Sequence, residues 1–79
     1  EAEVKRVMLN LQAVLAAANL NFSNVVKTSI FLKSMDDFDV VNTIYATFFS
    51  DNFPARETVQ VAKLPRDVNV EISMIAVQL

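Results

Sequence analysis

Asn24-Val25-Val26-Lys27-Thr28-Ser29-Ile30-Phe31-Leu32 is the stretch whose reading decides the fold. From Val25 onward it is rich in β-branched and aromatic residues, the side chains that fit a pleated, packed surface. Strand alternation puts Val26, Thr28, Ile30 and Leu32 on one face and Val25, Lys27, Ser29 and Phe31 on the other. Both faces are partly apolar, so the strand is expected to be covered on both sides. Helices of the same chain would supply one cover. Another subunit would supply the other.

The segments on either side predict those helices. From Val4 to Ala18, apolar residues fall at Val4, Val7, Met8, Leu11, Val14, Leu15 and Ala18, leaving Glu3, Arg6, Asn10 and Gln12 for the outer surface. Asn19 follows, and asparagine is the best substitute for glycine in a left-handed helix cap. After the strand, Ser34 or Asp36 can cap a second helix, and Asp36 and Asp37 suit the positive end of its dipole. Phe38, Val41, Tyr45 and Phe48 mark its buried stripe, and it should stop before Pro54. Thr58 to Lys63 and Val68 to Val77 are two further strand candidates. The four residues between them, Leu64-Pro65-Arg66-Asp67, suggest an antiparallel hairpin. In the last strand Val68, Val70, Ile72, Met74 and Ala76 face one way, and Asn69, Glu71, Ser73, Ile75 and Val77 the other.

The expected class is therefore α+β, a mixed sheet backed by two helices, with residues 1–79 forming a single domain. Three strands must carry two apolar helices and still present an apolar second face. Further strands or partner chains should complete the sheet. At 79 residues the chain can bury only a modest core, while 53% of it is hydrophobic. There is no cysteine and no histidine, which removes disulfides and histidine-based metal sites. Oligomerisation is the remaining common support.

Several function classes fall away on the same grounds. Glycine is absent, and with it every glycine-rich phosphate loop. Without histidine, no Ser-His-Asp site is available in this sequence. Net charge is −2 and the seven Lys and Arg are scattered, so the basic stripe that nucleic-acid binding needs is missing. No apolar run reaches membrane-spanning length, and the charged first helix does not read as a signal peptide. An intracellular protein is the expectation.

What remains for chemistry is carboxylates, arginines, amides and hydroxyls. Arg56 follows Pro54-Ala55, where a rigid turn enters a strand. There it could grip a carboxylate through two parallel hydrogen bonds, or simply pair at the surface with Asp51 or Glu57. Glu71, in Val70-Glu71-Ile72, either faces solvent or is held where burial tunes it as a base. Asn42 sits one position off the apolar stripe of the second helix, with a hydrogen-bonding role or plain exposure both open. Tyr45 and the phenylalanines read as core. Asp36 and Asp37 read as helix-start residues.

Three stretches together resemble the reactive-intermediate deaminase (Rid, or YjgF-type) family. The first is Asn24-Val25-Val26-Lys27-Thr28 followed by Met35-Asp36-Asp37-Phe38. The second is Val41-Asn42 with Tyr45 and Phe48-Phe49. The third is Pro54-Ala55-Arg56 leading through Gln60-Val61-Ala62 and Leu64-Pro65 to Val70-Glu71-Ile72. The resemblance implies a mixed sheet backed by two helices, assembled as a homotrimer with sites in the clefts between subunits. It implies hydrolysis of enamine or imine intermediates to 2-keto acids and ammonia, with no metal or organic cofactor, in the cytoplasm (or in mitochondria in a eukaryote). By the same resemblance Arg56 binds the substrate carboxylate and Glu71 orients or activates water. Asn42 lies near the site, and Thr58 takes a substrate-binding position often held by cysteine. Arg56 and Glu71 are expected on neighbouring strand segments, lining a cleft shared when the chains assemble. Family members usually carry roughly forty to fifty further residues before the first helix, including a tyrosine and a serine of the site. Ser73 replaces a second family glutamate. Two other readings are a non-catalytic trimer that binds small carboxylates or proteins, and an endoribonuclease or translation inhibitor.

Overall fold

The computed structural model describes residues 1–50 and 53–78. Helix α1 spans Ala2–Ala17, strand β1 Val25–Leu32, helix α2 Phe38–Ala46, strand β2 Ala55–Gln60 and strand β3 Val70–Ala76. Short 3-10 turns precede β1, α2 and β3. The two strands after α2 run over different bounds from those expected, starting earlier for β2 and later for β3.

The local signals explain where the elements begin and end. Asn19 takes φ 61°, the left-handed conformation expected of it. The Leu20 N–H donates to Leu15 O at 2.8 Å and the Asn19 N–H to Ala16 O at 3.0 Å, closing the last turn of α1. Ser34 caps the 3-10 turn Met35–Asp37, its Oγ accepting from the Asp36 N–H at 3.1 Å, whereas α2 itself follows Asp37 with no side-chain cap from either Ser34 or Asp36. Among the described residues no helix is long and apolar enough to cross a membrane.

The sheet corrects the expected hairpin. Its order is β2-β1-β3, so β2 and β3 flank β1 and do not touch each other as partners. β2 runs parallel to β1, with Thr28 opposite Arg56 and Ile30 opposite Thr58. A parallel pair needs a crossover, and α2 provides it. β3 runs antiparallel to β1, with Phe31 opposite Glu71 and Ile30 opposite Ile72. The segment from Val61 to Asn69 passes across the end of β1 instead of turning tightly. The Val61 N–H donates to Leu32 O and the Lys33 N–H to Asn69 O, so this segment extends both ladders by one bond. Arg66 and Asp67 adopt positive φ, 59° and 55°, to make that passage.

Both helices lie on one face of the sheet, where Met8, Ile30, Leu32 and Thr28 are fully buried. Val4 and Leu15 of α1, Val41 and Tyr45 of α2, and Val70 and Ile72 of β3 complete the same core with Phe22 and Phe49. The apolar spacing of α1 and the alternation of β1 fail at Val14, Ala18 and Val26, all of them exposed. Val14 is 67% exposed, because α1 turns only Val4, Met8 and Leu15 fully inward. Val26 is exposed and Val25 buried, because an irregularity in the β1–β3 register between Val25 and Lys27 resets the alternation. The other sheet face is uncovered among the described residues. It presents Val59, Phe31 and Ile75 among Glu57, Lys27, Ser29, Ser73 and Glu71.

Glu3 ties α1 to the start of β3. Its two carboxylate oxygens accept from the Asn69 backbone N–H and from Asn69 Nδ2, both at 2.9 Å. Those hydrogen bonds hold the carboxyl below the usual glutamate range.

Candidate functional site

Arg56 is the second residue of β2, and its pairing with Thr28 puts its side chain on the helix-facing side of the sheet. β2 is an edge strand among the described residues, so the long side chain reaches past the core to the rim. Helix α2 meets it there with three residues spaced four and then three apart, Phe38, Asn42 and Tyr45, which therefore share one helical face. Arg56 Nη1 donates to Asn42 Oδ1. The guanidinium carbon lies 5.3 Å from the centre of the Tyr45 ring and 5.8 Å from that of Phe38. Both distances are within the range of cation–π attraction.

Tyr45 is itself fixed. It is 2% exposed, its hydroxyl donates to Thr28 Oγ1 at 3.0 Å, and the Phe49 ring packs 4.8 Å from its own. Burial raises the phenol above its ordinary pKa, outweighing the opposite pulls of the Thr28 hydrogen bond and the Arg56 charge. The phenol stays neutral at physiological pH.

A cleft of about 280 Å³ opens beside this group, lined by Asn42, Tyr45, Ala46, Phe53, Pro54 and Arg56. Its chemistry is simple: one permanent cation on an aromatic and amide bed, with apolar walls. An arginine so placed offers its remaining N–H groups in a fixed plane, which suits a carboxylate. Among the described residues Arg56 makes no ion pair. Glu57, one of the two partners considered for it, instead pairs with Lys27 at 3.4 Å on the opposite sheet face. Asp51, the other, lies outside the described residues.

The remaining expected site residues are distributed less tightly. Asn42 is joined directly to Arg56, which resolves its open reading in favour of a hydrogen-bonding role. Thr58 is two residues beyond Arg56 on the same face, and its Oγ1 is buried without a hydrogen-bond partner. It does not line the cleft. Glu71 is opposite Phe31, hence on the uncovered face and on the far side of β1 from β2. The expectation that Arg56 and Glu71 stand on neighbouring strands is therefore corrected. A whole strand separates them, and their side chains leave opposite faces of the sheet. No cluster of metal-ligating side chains occurs among the described residues.

Sequence reading missed the part Tyr45 plays beside Arg56. The signal was available in its spacing from Asn42 and Phe38, but only the β1–β2 pairing shows that Arg56 lands on that face.

Comparison with known proteins agrees with this architecture. Residues 1–78 match the family described as Endoribonuclease L-PSP. The chain is 51% identical over 76 residues to the mouse protein named 2-iminobutanoate/2-iminopropanoate deaminase, an alignment covering 96% of this chain and 56% of that one. The crystal structure of the Escherichia coli YjgF gene product superposes with a TM-score of 0.92 at 42% identity, covering 99% of this chain and 64% of that chain. The structure of Escherichia coli TdcF with bound serine superposes with a TM-score of 0.91 at 35% identity, covering 96% and 62%. The chain thus spans about three fifths of the length of the relatives it matches.

Proposed function

From the premise that this chain belongs to the endoribonuclease L-PSP family, the Rid/YjgF family, we propose that it is part of a subunit that hydrolyses 2-imino acids to 2-keto acids and ammonia. The observation that carries the reading is Arg56, held by Asn42 and two aromatic rings at the mouth of a cleft. A 2-imino acid carries a carboxylate beside the reacting carbon, and Arg56 would take that carboxylate. Serine, bound by the TdcF relative, and the imino acids in the mouse relative's name carry the same group.

The reaction asks little more of the protein. Water adds its oxygen to the C=N carbon while one of its protons goes to a base, and the nitrogen is protonated. The carbinolamine then loses ammonia, leaving the keto acid. A protonated imine next to a carboxylate is already electrophilic, so holding it beside an oriented water supplies much of the acceleration. Glu71 is the group we assign to that water. Thr58, whose hydroxyl is buried and does not line the Arg56 cleft, takes no part in this scheme.

Arg56 and Glu71 leave opposite sheet faces in one chain, so a site using both draws them from two chains. That supports a homo-oligomer, a trimer by the family resemblance, in which the uncovered sheet face of one subunit meets the β2 edge and cleft rim of the next. In this reading the Glu71 of one subunit reaches the Arg56 cleft of the next.

The test is release of keto acid in a dehydratase-coupled assay of the intact protein. Arg56→Lys should lower kcat/KM sharply, because an ammonium cannot reproduce a planar two-point grip. Equal rates for Arg56→Lys and the parent would contradict the proposal. One observation favours a second reading, a non-catalytic carboxylate binder: a single chain presents the Arg56 cleft without its base. Arg56-dependent carboxylate binding with no turnover would select it. The family's description also invokes an endoribonuclease, which the net charge of −2 and the absence of histidine disfavour.

A further inference from the structure

The aromatic bed under Arg56 has no assigned part in the chemistry, yet it is built with unusual care for an edge-strand arginine. Phe38, Asn42 and Tyr45 project from one face of α2, and each engages the same guanidinium. The three contacts differ in kind. Asn42 consumes one N–H of Nη1. Phe38 is only half-buried, its ring centre 5.8 Å from the guanidinium carbon. Tyr45 is nearer, at 5.3 Å, and is the only one of the three locked at its far end, by the buried hydroxyl bond to Thr28.

Thr28 is the β1 residue directly opposite Arg56 in the parallel register. The chain of contacts is therefore closed. β1 holds Arg56 through the backbone ladder and holds Tyr45 through the Thr28 side chain, and Tyr45 holds the guanidinium through its ring. Of the guanidinium, Nη1 is engaged by Asn42. A flexible arginine would have to give up rotamer freedom each time a carboxylate bound; this one has lost much of it beforehand.

We propose that Tyr45 is a positioning residue for Arg56, its ring acting as the electrostatic floor that orients the guanidinium towards an incoming carboxylate. This rests on the reading of Arg56 as the carboxylate grip and adds to it the residue that sets the grip's angle. The part assigned to Tyr45 is indirect. It acts through the arginine, and through the negative face of its π-system more than through its bulk.

The experiment separates those two contributions. In the intact protein, position 45 is replaced by phenylalanine and then by phenylalanines carrying one, two and three ring fluorines, which drain the ring's negative face at nearly constant shape. The Kd for pyruvate, a non-reacting 2-keto carboxylate, is measured by calorimetry for each, in the Arg56 background and in Arg56→Ala. A cation–π contact of this kind is worth a factor of about 2 to 30 in affinity. Tyr45→Phe, which lacks the bond to Thr28, is the reference of the series, and affinity should fall stepwise from it with each fluorine within that overall range. In Arg56→Ala the series should be flat.

A flat series with Arg56 present, while Arg56→Ala abolishes binding, would overturn the role of Tyr45 and leave the role of Arg56 standing. Unchanged pyruvate binding in Arg56→Ala alone would overturn the reading of Arg56, and the Tyr45 proposal with it. A fall in affinity of the same size in both backgrounds would show a merely structural effect and would also overturn the proposal. Because fluorinated rings keep the shape of the slot, the series does not depend on a large-to-small substitution folding.

Discussion

The buried bond between Tyr45 and Thr28 gives a quantitative test of how the α2–sheet junction is held. Thr28 is 0% exposed and Tyr45 2%, and the hydroxyl–hydroxyl distance is 3.0 Å. Tyr45→Phe removes the phenol oxygen and leaves Thr28 Oγ1 in a dry site. Thr28→Val removes the partner and strands the phenol instead. Each single substitution is expected to cost about 1–3 kcal/mol, the penalty of an abandoned buried polar group rather than the smaller net value of a hydrogen bond. The double variant replaces both groups by apolar ones of nearly the same shape, so it should cost no more than either single change. That implies a coupling at least as large as one single effect, about 1–3 kcal/mol, in a double-mutant cycle. For a domain of this size each kcal/mol is about 4–8 °C in Tm. Urea unfolding of the four proteins at one fixed protein concentration reads the cycle directly, because oligomerisation makes stability concentration-dependent. Additive single effects, or single effects below about 0.5 kcal/mol, would refute the reasoning.

Three other outcomes follow from particular residues. Thr58→Val should raise stability by about 1 kcal/mol in urea unfolding, since its Oγ1 is buried without a partner. Arg66→Gly should stabilise by up to about 1 kcal/mol in thermal unfolding, because φ 59° is costly for any residue with a Cβ. Glu3, whose folded pKa is lowered by its bonds to Asn69, contributes stability that is fully present above its unfolded pKa. That contribution is lost as pH falls through the depressed folded value, so the stability difference between the parent and Glu3→Gln should shrink as the solution is acidified from neutrality. A difference that stays constant with pH would contradict the Glu3–Asn69 link.

Much of the fold could be read from local chemistry. The β-branched run at Val25–Leu32 and the left-handed Asn19 are each decided by a residue and its immediate neighbours, and each lies where expected; Ser34 does cap, but it caps the 3-10 turn ahead of α2 instead of the helix itself. Pairing is different. Nothing in Leu64-Pro65-Arg66-Asp67 says that the chain passes over the end of β1 to its other edge, because the bonds that guide it come from Leu32 and Lys33, distant in sequence. The misplaced Val26 has the same origin: a register irregularity belongs to two strands at once.

The candidate site divides in the same way. Arg56, Asn42 and Glu71 could be singled out as residues, and Glu71 was expected on the face it occupies. Their mutual geometry depends on the strand order. With β2 and β3 on opposite sides of β1, the arginine joins Asn42 and Tyr45 on the helix side, and the glutamate is left on the uncovered side. A cleft shared between chains was expected from the resemblance, but the separation of the two groups onto opposite faces of one sheet depends on the strand order.

Subunit mixing tests that sharing between chains. Arg56→Ala and Glu71→Gln are each prepared in the intact protein, shown to be inactive alone, then unfolded together in equal amounts and reassembled. If each site takes its guanidinium from one subunit and its carboxylate from the next around a closed ring, about one site in four regains both groups, and about a quarter of the parent activity returns. If the mixture stays as inactive as its components although the chains have exchanged, both groups must act within one chain, and the shared site proposed here is wrong.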